Sequence, residues 1–579
     1  MLMEISFNPE EHVNSYTALF SGKQVTLDSL RRFIDTENRF GTHTDKKYIQ
    51  QYGQLFRTLR DNLIVPNYEK FNLLPVFEEL AALMRRSGTV LPPNPQGRQI
   101  IDGFKNSYDS NEPYWKLQLL RMETVLSSFC AEADRNYFLN KVLLLRSVDC
   151  FRSLEEVRLF AQCLRMLFPT PTEFMTAALK IFTPDYAKRG ITEFKAGLMW
   201  ITEISWTLAY KEAKEHMMLM DSWISIFHEC IRLKNDEAVF YMHFPLSHVY
   251  LNNCHTQPEF KEFNDRVEIP FSDYIQQNMD RWNIKPVTKQ NEKKRIGFVY
   301  DRLAGSSPVK LLLSLLHYMK NEPYELFVYD MAYIEKAVSR KEYIDEVLSA
   351  GAKYVNNHEL TDSANGHYYS HFEKNKALRK KVIEDEIDVL IVTSNKSQAA
   401  FLCATRTAPQ QIFWDHGNHE YDVAGLDSRI CHFDDGYRNG FEFQRFDLKM
   451  LPKYLNEDEQ MKKAAAAEIK KNLPPHSVVL GSIGRIMKLS DEYMEMVADI
   501  LKANPDTIYL ACGDGPIEEK KAKARALGVA DRFIFTGWAD AHVYGHVIDI
   551  YLNTFPLVGG ESVNEFVSKG ENKYVVTLY

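Results

Sequence analysis

The stretch Asn553–Gly570, NTFPLVGGESVNEFVSKG, joins a strand-like run, a glycine pair and a short helical pattern. Glu561 and Ser562 follow the glycines directly, and Glu565 stands one helical turn further on. Free N–H groups at the start of a helix bind phosphate, and glycines let a ligand approach the backbone. A carboxylate one turn later can accept hydrogen bonds from a ribose diol. This stretch therefore predicts a site for a phosphate-bearing ligand.

The same residues also allow a purely structural interpretation. Ser562 and Glu565 have the S-x-x-E spacing of a capping box, in which Glu565 would only satisfy backbone groups at the helix start. Glu561 would bring a negative charge near the phosphates unless it points away or contacts sugar hydroxyls. The helix is expected to run to about Lys569, with Gly570 as its end.

Two cations follow another strand-like run. In GSIGRIMKLSDEY, Arg485 and Lys488 come after an apolar stretch and before a helical pattern. Arginine binds a phosphate as a bidentate fork and lysine binds it as a point charge, so the pair suits the same ligand. The alternative is that both are surface residues at a helix entry. In FTGWADAHV, at a further strand end, backbone groups could read a base edge and an aromatic ring could stack on it.

The elements that must position these residues change in character near residue 290. Before it, apolar and aromatic residues recur at helical spacing, as in NLLPVFEELAALMRRSG, residues 72–88. The polar stretch Asn283–Arg295 holds a proline and predicts a linker. After it, continuous apolar runs alternate with helical patterns, which predicts parallel sheets covered by helices on both faces.

These runs form two consecutive groups, so we expect two doubly wound lobes with ligands beyond the carboxyl ends of their strands. The expected strands are Arg295–Asp301, Tyr324–Ala332, Ile387–Ser394, Gln410–Gly417 and Ser428–Asp435 in the first lobe, and Ser477–Arg485, Thr507–Gly515, Arg532–Trp538, Asp549–Pro556 and Tyr574–Tyr579 in the second.

The motifs GRIMK, GDGP, LGVADRFIFTG and GGESVNEFVSKG, in this order, resemble the C-terminal lobe of GT-B nucleotide-sugar glycosyltransferases. RIGFVYDRLAGSSPVKLLLSLL and RTAPQQIFWDHGNHEYDVAGLDSRI narrow the resemblance to the family of O-GlcNAc transferases and of the cytoplasmic N-glycosyltransferases that modify bacterial adhesins. It covers roughly residues 295–579. It implies an α/β fold of GT-B type, two Rossmann-like lobes, after an all-α N-terminal domain such as the adhesin enzymes also carry.

The expected domains follow from the linker and the resemblance: residues 1–285 form a helical domain that binds the acceptor or a partner protein, 295–455 the acceptor-side lobe, and 456–579 the donor-binding lobe. GT-B proteins usually continue into helices that cross back to the first lobe. This chain ends at ENKYVVTLY, so we expect its second lobe to be cut short.

The resemblance also implies roles for matching positions. Lys488 would neutralise the diphosphate of the donor, Ser562 and the backbone beside it would cradle the phosphates, Glu565 would bind the ribose, and His542 would pack near the uracil. The positions expected to contact the donor are Arg485, Lys488, Gly537, Trp538, Ala539, His542, Gly559, Gly560, Glu561, Ser562 and Glu565.

On the acceptor side, WDHGNH supplies His416 and His419 as candidate general bases, with Asp415 and Glu420 as further candidates. His416 could equally be an ordinary loop histidine. With Lys488 and a phosphate-binding helix, no metal ion is needed to stabilise the leaving diphosphate. The sequence also shows no DxD metal motif, because FDDG is better explained as a turn.

Departures from the family leave the stereochemistry of transfer open. O-GlcNAc transferases have a histidine in the first loop, where this chain reads Leu303–Lys310, and paired threonines where it has Glu561 and Ser562. Retaining enzymes place a glutamate eight residues before the ribose acid, where this chain has Leu557. Neither catalytic pattern is therefore complete.

The overall composition is that of a globular protein. The 579 residues carry a net charge of −8, which gives no reason to expect a nucleic acid partner. The eight cysteines form no CxxC pair, so reduced thiols and a cytoplasmic location are expected. The acidic start lacks the apolar core of a signal peptide, and no apolar run reaches the length of a membrane span.

The sequence thus predicts a metal-independent transferase without a bound cofactor. It would move a hexose or N-acetylhexosamine from a UDP-sugar to a protein side chain of an adhesin- or flagellin-like acceptor. One alternative is a GT-B enzyme of surface polysaccharide synthesis. The other is an inactive donor-binding scaffold, which the missing histidines and the abrupt end favour. The identity of the sugar and the choice between asparagine, serine or threonine and glycan acceptors stay open.

Overall fold

The computed structural model describes residues 8–22, 25–40, 46–63, 74–89, 91, 136, 139, 161, 164–165, 167–254, 256–289, 294–331, 339–360, 371–393, 396–416, 422–432, 436–438, 441–456, 458–474, 478–515, 517–555 and 557–578. Contacts divide the chain into two compact units, Met1–Cys230 and Ile231–Tyr579. Within the described ranges, no helix combines the length and the apolar character that crossing a bilayer requires.

The first unit is helical wherever it is described. Asn8 begins the first helix by accepting hydrogen bonds from the N–H groups of Glu10 and Glu11. The helix predicted in residues 72–88 is present, with buried Leu80 and Leu83 on its inner face and Gly88 at φ +68° after its end. The helices are Pro9–Ser21, Leu27–Phe40, Lys46–Leu63, Leu74–Arg86, Pro171–Leu179 and Ile191–Met199, with 3₁₀ turns Pro184–Lys188 and Lys214–Leu219, the π-helical stretch Trp200–Ala209, and Met220–Arg232 across the boundary.

The second unit begins with further helices that pack against two helices of the first lobe, His371–Glu384 and Ser397–Ala404. Phe240 lies with its ring centroid 5.2 Å from that of Phe372 and 5.6 Å from that of Phe401. Contacts therefore group these helices with the sheets, although the change from helix to strand comes only at Arg295, as predicted. They are Asp236–Asn253, Gln257–Phe263, the π-helical stretch Asn264–Glu268, and Ile269–Asn278.

The first lobe contains an eight-stranded sheet in the order β3-β2-β1-β4-β5-β6-β8-β7. Neighbouring strands are parallel except for the last pair, β8 and β7, which is antiparallel. The strands are β1 (Arg295–Tyr300), β2 (Glu325–Asp330), β3 (Lys353–Asn356), β4 (Val389–Val392), β5 (Gln410–Asp415), β6 (Ser428–Cys431), β7 (Gly436–Arg438) and β8 (Phe441–Arg445). The helices around it are Ser307–Met319, Lys341–Ser349, His371–Glu384 and Ser397–Ala404, with the 3₁₀ turn Asn357–Glu359.

The second lobe contains a parallel five-stranded sheet in the order β11-β10-β9-β12-β13. Its strands are β9 (Val478–Ile483), β10 (Thr507–Cys512), β11 (Phe533–Gly537), β12 (Ile550–Asn553) and β13 (Tyr574–Thr577). The helices are Asp491–Ala503, Ile517–Ala526, Ala541–Val547 and Glu561–Val567, with the 3₁₀ turn Ile486–Lys488; Pro452–Leu455 and Glu459–Lys471 come before the sheet.

Both faces of the second sheet are covered, because successive side chains of a strand point to opposite faces. Leu480 and Tyr509 belong to the core cluster on one face, and Val479 and Ile508 to the cluster on the other. This is why its strands read as continuous apolar runs. The predicted fold class, two doubly wound α/β lobes after a helical region, is confirmed.

The connections create one switch point in each sheet. In the first, β1 lies between β2 and β4; in the second, β9 lies between β10 and β12. At such a switch point, the connections that follow two adjacent strands go to opposite sides of the sheet. A crevice therefore opens between them, beyond the carboxyl ends of the two strands. The loop with Lys488 follows β9, and the loop with the glycine pair follows β12.

Some elements differ from the prediction. Strands β3, β7 and β8 were not predicted, because they are short; β3 and β8 are also only partly buried. The helix after the glycine pair ends at Val567, two residues before the predicted end near Lys569, and Ser568 and Lys569 form a turn before Gly570.

Candidate functional site

Lys488 connects the two loops at the switch point of the second lobe. Its Nζ donates a hydrogen bond to the carbonyl oxygen of Val558, 2.8 Å away. Burial, and then the charge of Arg485, lower the pKa of Lys488 to about 8. The residue is half-buried and lines an open depression at the end of β9. The other residues of this lining are Ser482, Ile483, Gly484, Arg485, Ile486, Leu489 and Thr554.

The two glycines after β12 are needed for different reasons. The N–H of Gly559 donates to Asn553 Oδ1 at 2.8 Å, and a Cβ at this position would lie 2.8 Å from both the Tyr551 hydroxyl and a Val563 methyl. Gly560 has φ +59°, a conformation that side chains disfavour, in open space. The first glycine allows close packing and the second allows the turn into the helix.

The Ser562 hydroxyl forms its hydrogen bonds with the glycine turn and with strand β12. It donates to the carbonyl of Gly559 at 2.7 Å and lies 3.0 Å from the hydroxyl of Tyr551. No capping box forms, because the N-cap residue of this helix is Gly560, which has no side chain. Glu565 contacts other groups instead. The structural interpretation of the S-x-x-E spacing is therefore wrong, and the Ser562 hydroxyl shapes the turn that leads into the helix.

Glu561 points across the crevice to the first lobe. Its Oε1 accepts a hydrogen bond from His432 Nε2 at 2.6 Å, and His432 lies directly after β6. Trp414 Nε1 donates to His432 Nδ1 at 3.4 Å, so Nδ1 is assigned as the acceptor and Nε2 as the atom that carries the proton toward Glu561. The carboxylate of Glu561, whose negative charge would repel nearby phosphates, is thus hydrogen-bonded to a residue of the first lobe.

Glu565 is buried between cations from both lobes. Its Oε1 lies 3.9 Å from the amine of Lys310, in the helix after β1. Burial raises the pKa of Glu565, while Lys310 and Lys569 oppose that rise. An acid in this place can accept hydrogen bonds, but it already has a charged neighbour from the first lobe.

His542 lies in the same group of charges. Its Nδ1 is 3.0 Å from Lys569 Nζ, and its Nε2 is 3.5 Å from Lys310 Nζ. Burial, and then the charges of Lys569 and Lys310, lower the pKa of His542 to about 4, so the ring is neutral near pH 7. The structure thus brings His542 and Glu565 together around Lys310.

The predicted base-reading loop lies at the end of β11. Gly537 has φ +72° with open space around it, and Ala539 is half-buried. Trp538 is 80% exposed, an unusual state for so large an apolar ring. This leaves a flat aromatic surface free for stacking.

The acceptor-side candidates lie at the end of β5. His416 packs against Trp414, with ring centroids 4.4 Å apart and planes tilted by 41°, and its Nε2 is 3.3 Å from the hydroxyl of Tyr300. Burial lowers the pKa of His416 to about 3. Asp415 is fully buried, while His419 and Glu420 lie outside the described residues.

The guanidinium of Arg485 donates a hydrogen bond to Asn252 Oδ1, in the helix Asp236–Asn253. Arg485 also lines the same depression as Lys488. In the part of the chain that is described, no three histidine, cysteine, aspartate or glutamate side chains converge as a metal site would require.

The sequence analysis missed three residues that connect these groups: Lys310, His432 and Lys569. Lys569 had a local signal, since it stands four residues after Glu565 on the same helical pattern. Lys310 and His432 had none, because their partners Glu565 and Glu561 are more than one hundred positions away in sequence. Only folding brings the two lobes together at these residues.

No protein-family model matches this chain, and no curated protein is significantly similar to it. Among solved structures, a variant of the O-GlcNAc transferase of Thermobaculum terrenum aligns with 88% of this chain and 83% of its own, at 15% identity and a TM-score of 0.47. HepE of Anabaena, solved with UDP and glucose, aligns with 49% of this chain and 80% of its own, at 13% identity and a TM-score of 0.32. ADP-heptose lipopolysaccharide heptosyltransferase II of E. coli aligns with 49% of this chain and 84% of its own, at 11% identity and a TM-score of 0.28.

Proposed function

We propose that this chain is a glycosyltransferase that takes a hexose or N-acetylhexosamine from a UDP-sugar and transfers it to a protein side chain, without a metal ion. The observation that carries the proposal is the hydrogen bond from Lys488 to Val558. It brings a cation and a glycine turn together at the carboxyl ends of adjacent parallel strands, where nucleotide ligands bind in such sheets.

Lys488 acts on the leaving diphosphate. As the bond between sugar and phosphate breaks, negative charge builds up on the diphosphate. A protonated lysine has three N–H donors, and the carbonyl of Val558 uses one of them. Two donors remain for phosphate oxygens, and the bond to Val558 holds the amine in place before the donor binds.

The nucleoside occupies the other side of the same turn. Glu565, placed by the helix that follows Gly560, accepts hydrogen bonds from the ribose hydroxyls, and neutral His542 lies against the base. The exposed ring of Trp538 offers a stacking surface beside them. Ser562 supports the phosphates indirectly, by holding the turn at Gly559 in shape.

The acceptor approaches from the first lobe, and His416 is the base that we assign there. Because burial lowers its pKa to about 3, the ring is neutral at pH 7 and can take a proton from an acceptor hydroxyl. The driving force for that transfer is small, so positioning by Tyr300 and Trp414 must contribute. We place the reaction in the bacterial cytoplasm, where the buried free thiols of Cys230, Cys254, Cys403, Cys431 and Cys512 would stay reduced.

The test is UDP release from UDP-glucose, UDP-galactose and UDP-N-acetylglucosamine with the wild type and with Lys488→Ala. We expect kcat to fall by about 10²–10³ in the variant, the usual effect of removing one pre-aimed donor. Lys470→Ala is the matched control, because Lys470 pairs with Asp549 (2.9 Å) just before the amino end of β12. Activity of Lys488→Ala within a few-fold of the wild type would remove the assigned role.

The acceptor is tested separately. Co-expression with an adhesin or a flagellin, followed by mass spectrometry of the intact acceptor, should show an added hexose or N-acetylhexosamine. Turnover on a glycan acceptor alone would place the chain in polysaccharide synthesis. Donor binding without turnover on any acceptor would show an inactive scaffold.

A further inference from the structure

Three basic side chains, from the two lobes and from an adjoining helix, are linked by a series of contacts that ends at Arg485 in the Lys488 loop. Lys396 directly precedes the helix Ser397–Ala404, beyond the carboxyl end of β4. Arg485 lies beyond the carboxyl end of β9, three residues before Lys488. His248 belongs to the helix Asp236–Asn253. The three elements are far apart in sequence, so no local pattern predicts this grouping.

One face of the helix Asp236–Asn253 connects these basic groups. Lys396 Nζ lies 5.1 Å from the centroid of the Phe244 ring, which stacks on His248 with centroids 5.1 Å apart and planes at 17°. The carbonyl of His248 accepts a hydrogen bond from the Asn252 side chain at 2.6 Å, and Asn252 in turn accepts one from Arg485. Burial, and then the charges of Lys396 and Arg485, lower the pKa of His248 to about 3.

Most described lysines of the two lobes lie within ion-pair distance of a carboxylate, but Lys396 and Lys488 do not. Among the described residues, neither has a carboxylate within ion-pair distance: Lys396 contacts the Phe244 ring, and Lys488 contacts a carbonyl. Lys376 also lies over a phenylalanine ring, 4.7 Å from Phe372, but it pairs with Glu373 at 2.7 Å. A half-buried cation without a counter-ion is unfavourable, so the site is suited to an anionic ligand.

We propose that Lys396 and His248 complete an anion-binding subsite opposite Arg485 and Lys488 and bind the diphosphate of the nucleotide-sugar donor from the first lobe. The inference rests on the proposed function and adds residues to it. A diphosphate carries more than one negative charge, which Lys488 alone does not balance. Arg485 and Lys488 line one depression, so a ligand held there lies next to the residues that Arg485 contacts. The neutral ring of His248 supplies one N–H donor and Lys396 supplies the charge.

The experiment is isothermal titration calorimetry of the full chain with inorganic pyrophosphate, UDP and uridine. Lys396→Ala should weaken pyrophosphate and UDP binding by about ten- to hundredfold, since it removes hydrogen bonds to a charged group. Lys396→Arg should restore most of the affinity. His248→Phe keeps the ring stack on Phe244 but lacks the N–H donor, so it should weaken both ligands by about three- to tenfold. Lys376→Ala is the matched control and should leave every affinity unchanged.

The outcomes separate this inference from the proposed function. Uridine affinity must stay constant in Lys396→Ala; an equal loss for uridine would show a distorted site and overturn the inference. Unchanged pyrophosphate affinity in Lys396→Ala would also overturn the inference. If that variant then had a higher KM for a protein acceptor, Lys396 would be assigned to binding an acidic acceptor instead. Pyrophosphate binding that depends on Lys396, in a protein that turns over no UDP-sugar, would support the subsite while the transferase proposal fails.

Discussion

Lys488 Nζ donates a hydrogen bond to the carbonyl oxygen of Val558 at 2.8 Å, and so connects the loops that follow two adjacent parallel strands. The bond spans 70 positions of sequence and lies where the strand order of the second sheet reverses. A cation and a glycine turn therefore meet at this reversal.

Donor affinity should depend on pH through Lys488. Burial and then Arg485 lower the pKa of this amine to about 8, whereas a bound diphosphate favours its charged form. The affinity for UDP should therefore be highest below pH 8 and fall by up to about tenfold per pH unit above it. Calorimetry from about pH 7 to 9.5 measures this, with Lys488→Arg as the control, because its guanidinium stays charged throughout. The same pH dependence in that variant would assign the titration to another group.

The bond between His432 and Glu561 should stabilise the contact between the lobes. Glu561→Ala leaves the Nε2–H of His432, a residue 3% exposed at its side chain, without its acceptor, which costs about 1–3 kcal/mol. Glu561→Gln keeps an acceptor oxygen and should lose less. Urea unfolding of both variants measures the difference in the free energy of unfolding. If the two variants are equally stable, the hydrogen bond at 2.6 Å does not contribute as argued.

The charge of Lys310 should determine how strongly the stability of the fold depends on pH through the titration of Glu565. Burial raises the pKa of Glu565, so the folded state loses stability as the pH rises from the ordinary carboxyl pKa through the raised value. Lys310→Met removes one of the two ammonium groups that oppose this, which raises the pKa further. We expect a loss of about 1–3 kcal/mol at pH 7 and a smaller loss at about pH 5, where more of Glu565 is protonated. Chemical unfolding at both pH values tests this.

The control is the pair of changes Lys310→Met and Glu565→Gln in one protein. Without an ionisable group at position 565, the loss caused by the lysine substitution should be the same at both pH values. A pH-dependent loss that persists in this double variant would show that a different group titrates.

Alanine should destabilise the protein at either of the two glycines, for different reasons. A Cβ at Gly559 would lie 2.8 Å from the Tyr551 hydroxyl and from Val563, so Gly559→Ala should cost about 1–3 kcal/mol and displace the turn. At Gly560 nothing lies within 4 Å, but the combination of φ +59° and ψ −135° is one that essentially only glycine adopts, so Gly560→Ala should cost about 1–3 kcal/mol through backbone strain. Thermal unfolding should therefore show a loss of stability in both variants, from a steric clash at Gly559 and from backbone strain at Gly560. A Gly560→Ala variant as stable as the wild type would mean that the turn rearranges freely.

Much of the fold follows from local patterns in the chain. Apolar runs such as Thr507–Cys512 predict buried parallel strands, because a strand covered on both faces needs apolar residues at every position. The polar stretch before Arg295 marks the change from helices to strands. Glycines and cations directly after such runs also predict which residues stand at the carboxyl ends of the sheet, as Lys488 and Gly559 do. Short edge strands such as Lys353–Asn356 escape this reasoning, because their burial is only partial and their pattern is weak.

The partners of the site residues were decided by tertiary structure alone. The spacing of Ser562 and Glu565 suggested a local cap, yet Glu565 lies against Lys310 and Glu561 bonds to His432, both from the other lobe. Lys396, His248 and Arg485 likewise come from three distant elements. Periodicity reports which face of an element is buried, but it carries no information on which side chains of two separate sheets will face each other. That depends on how the lobes pack, and the burial of charged groups between them then sets their pKa values.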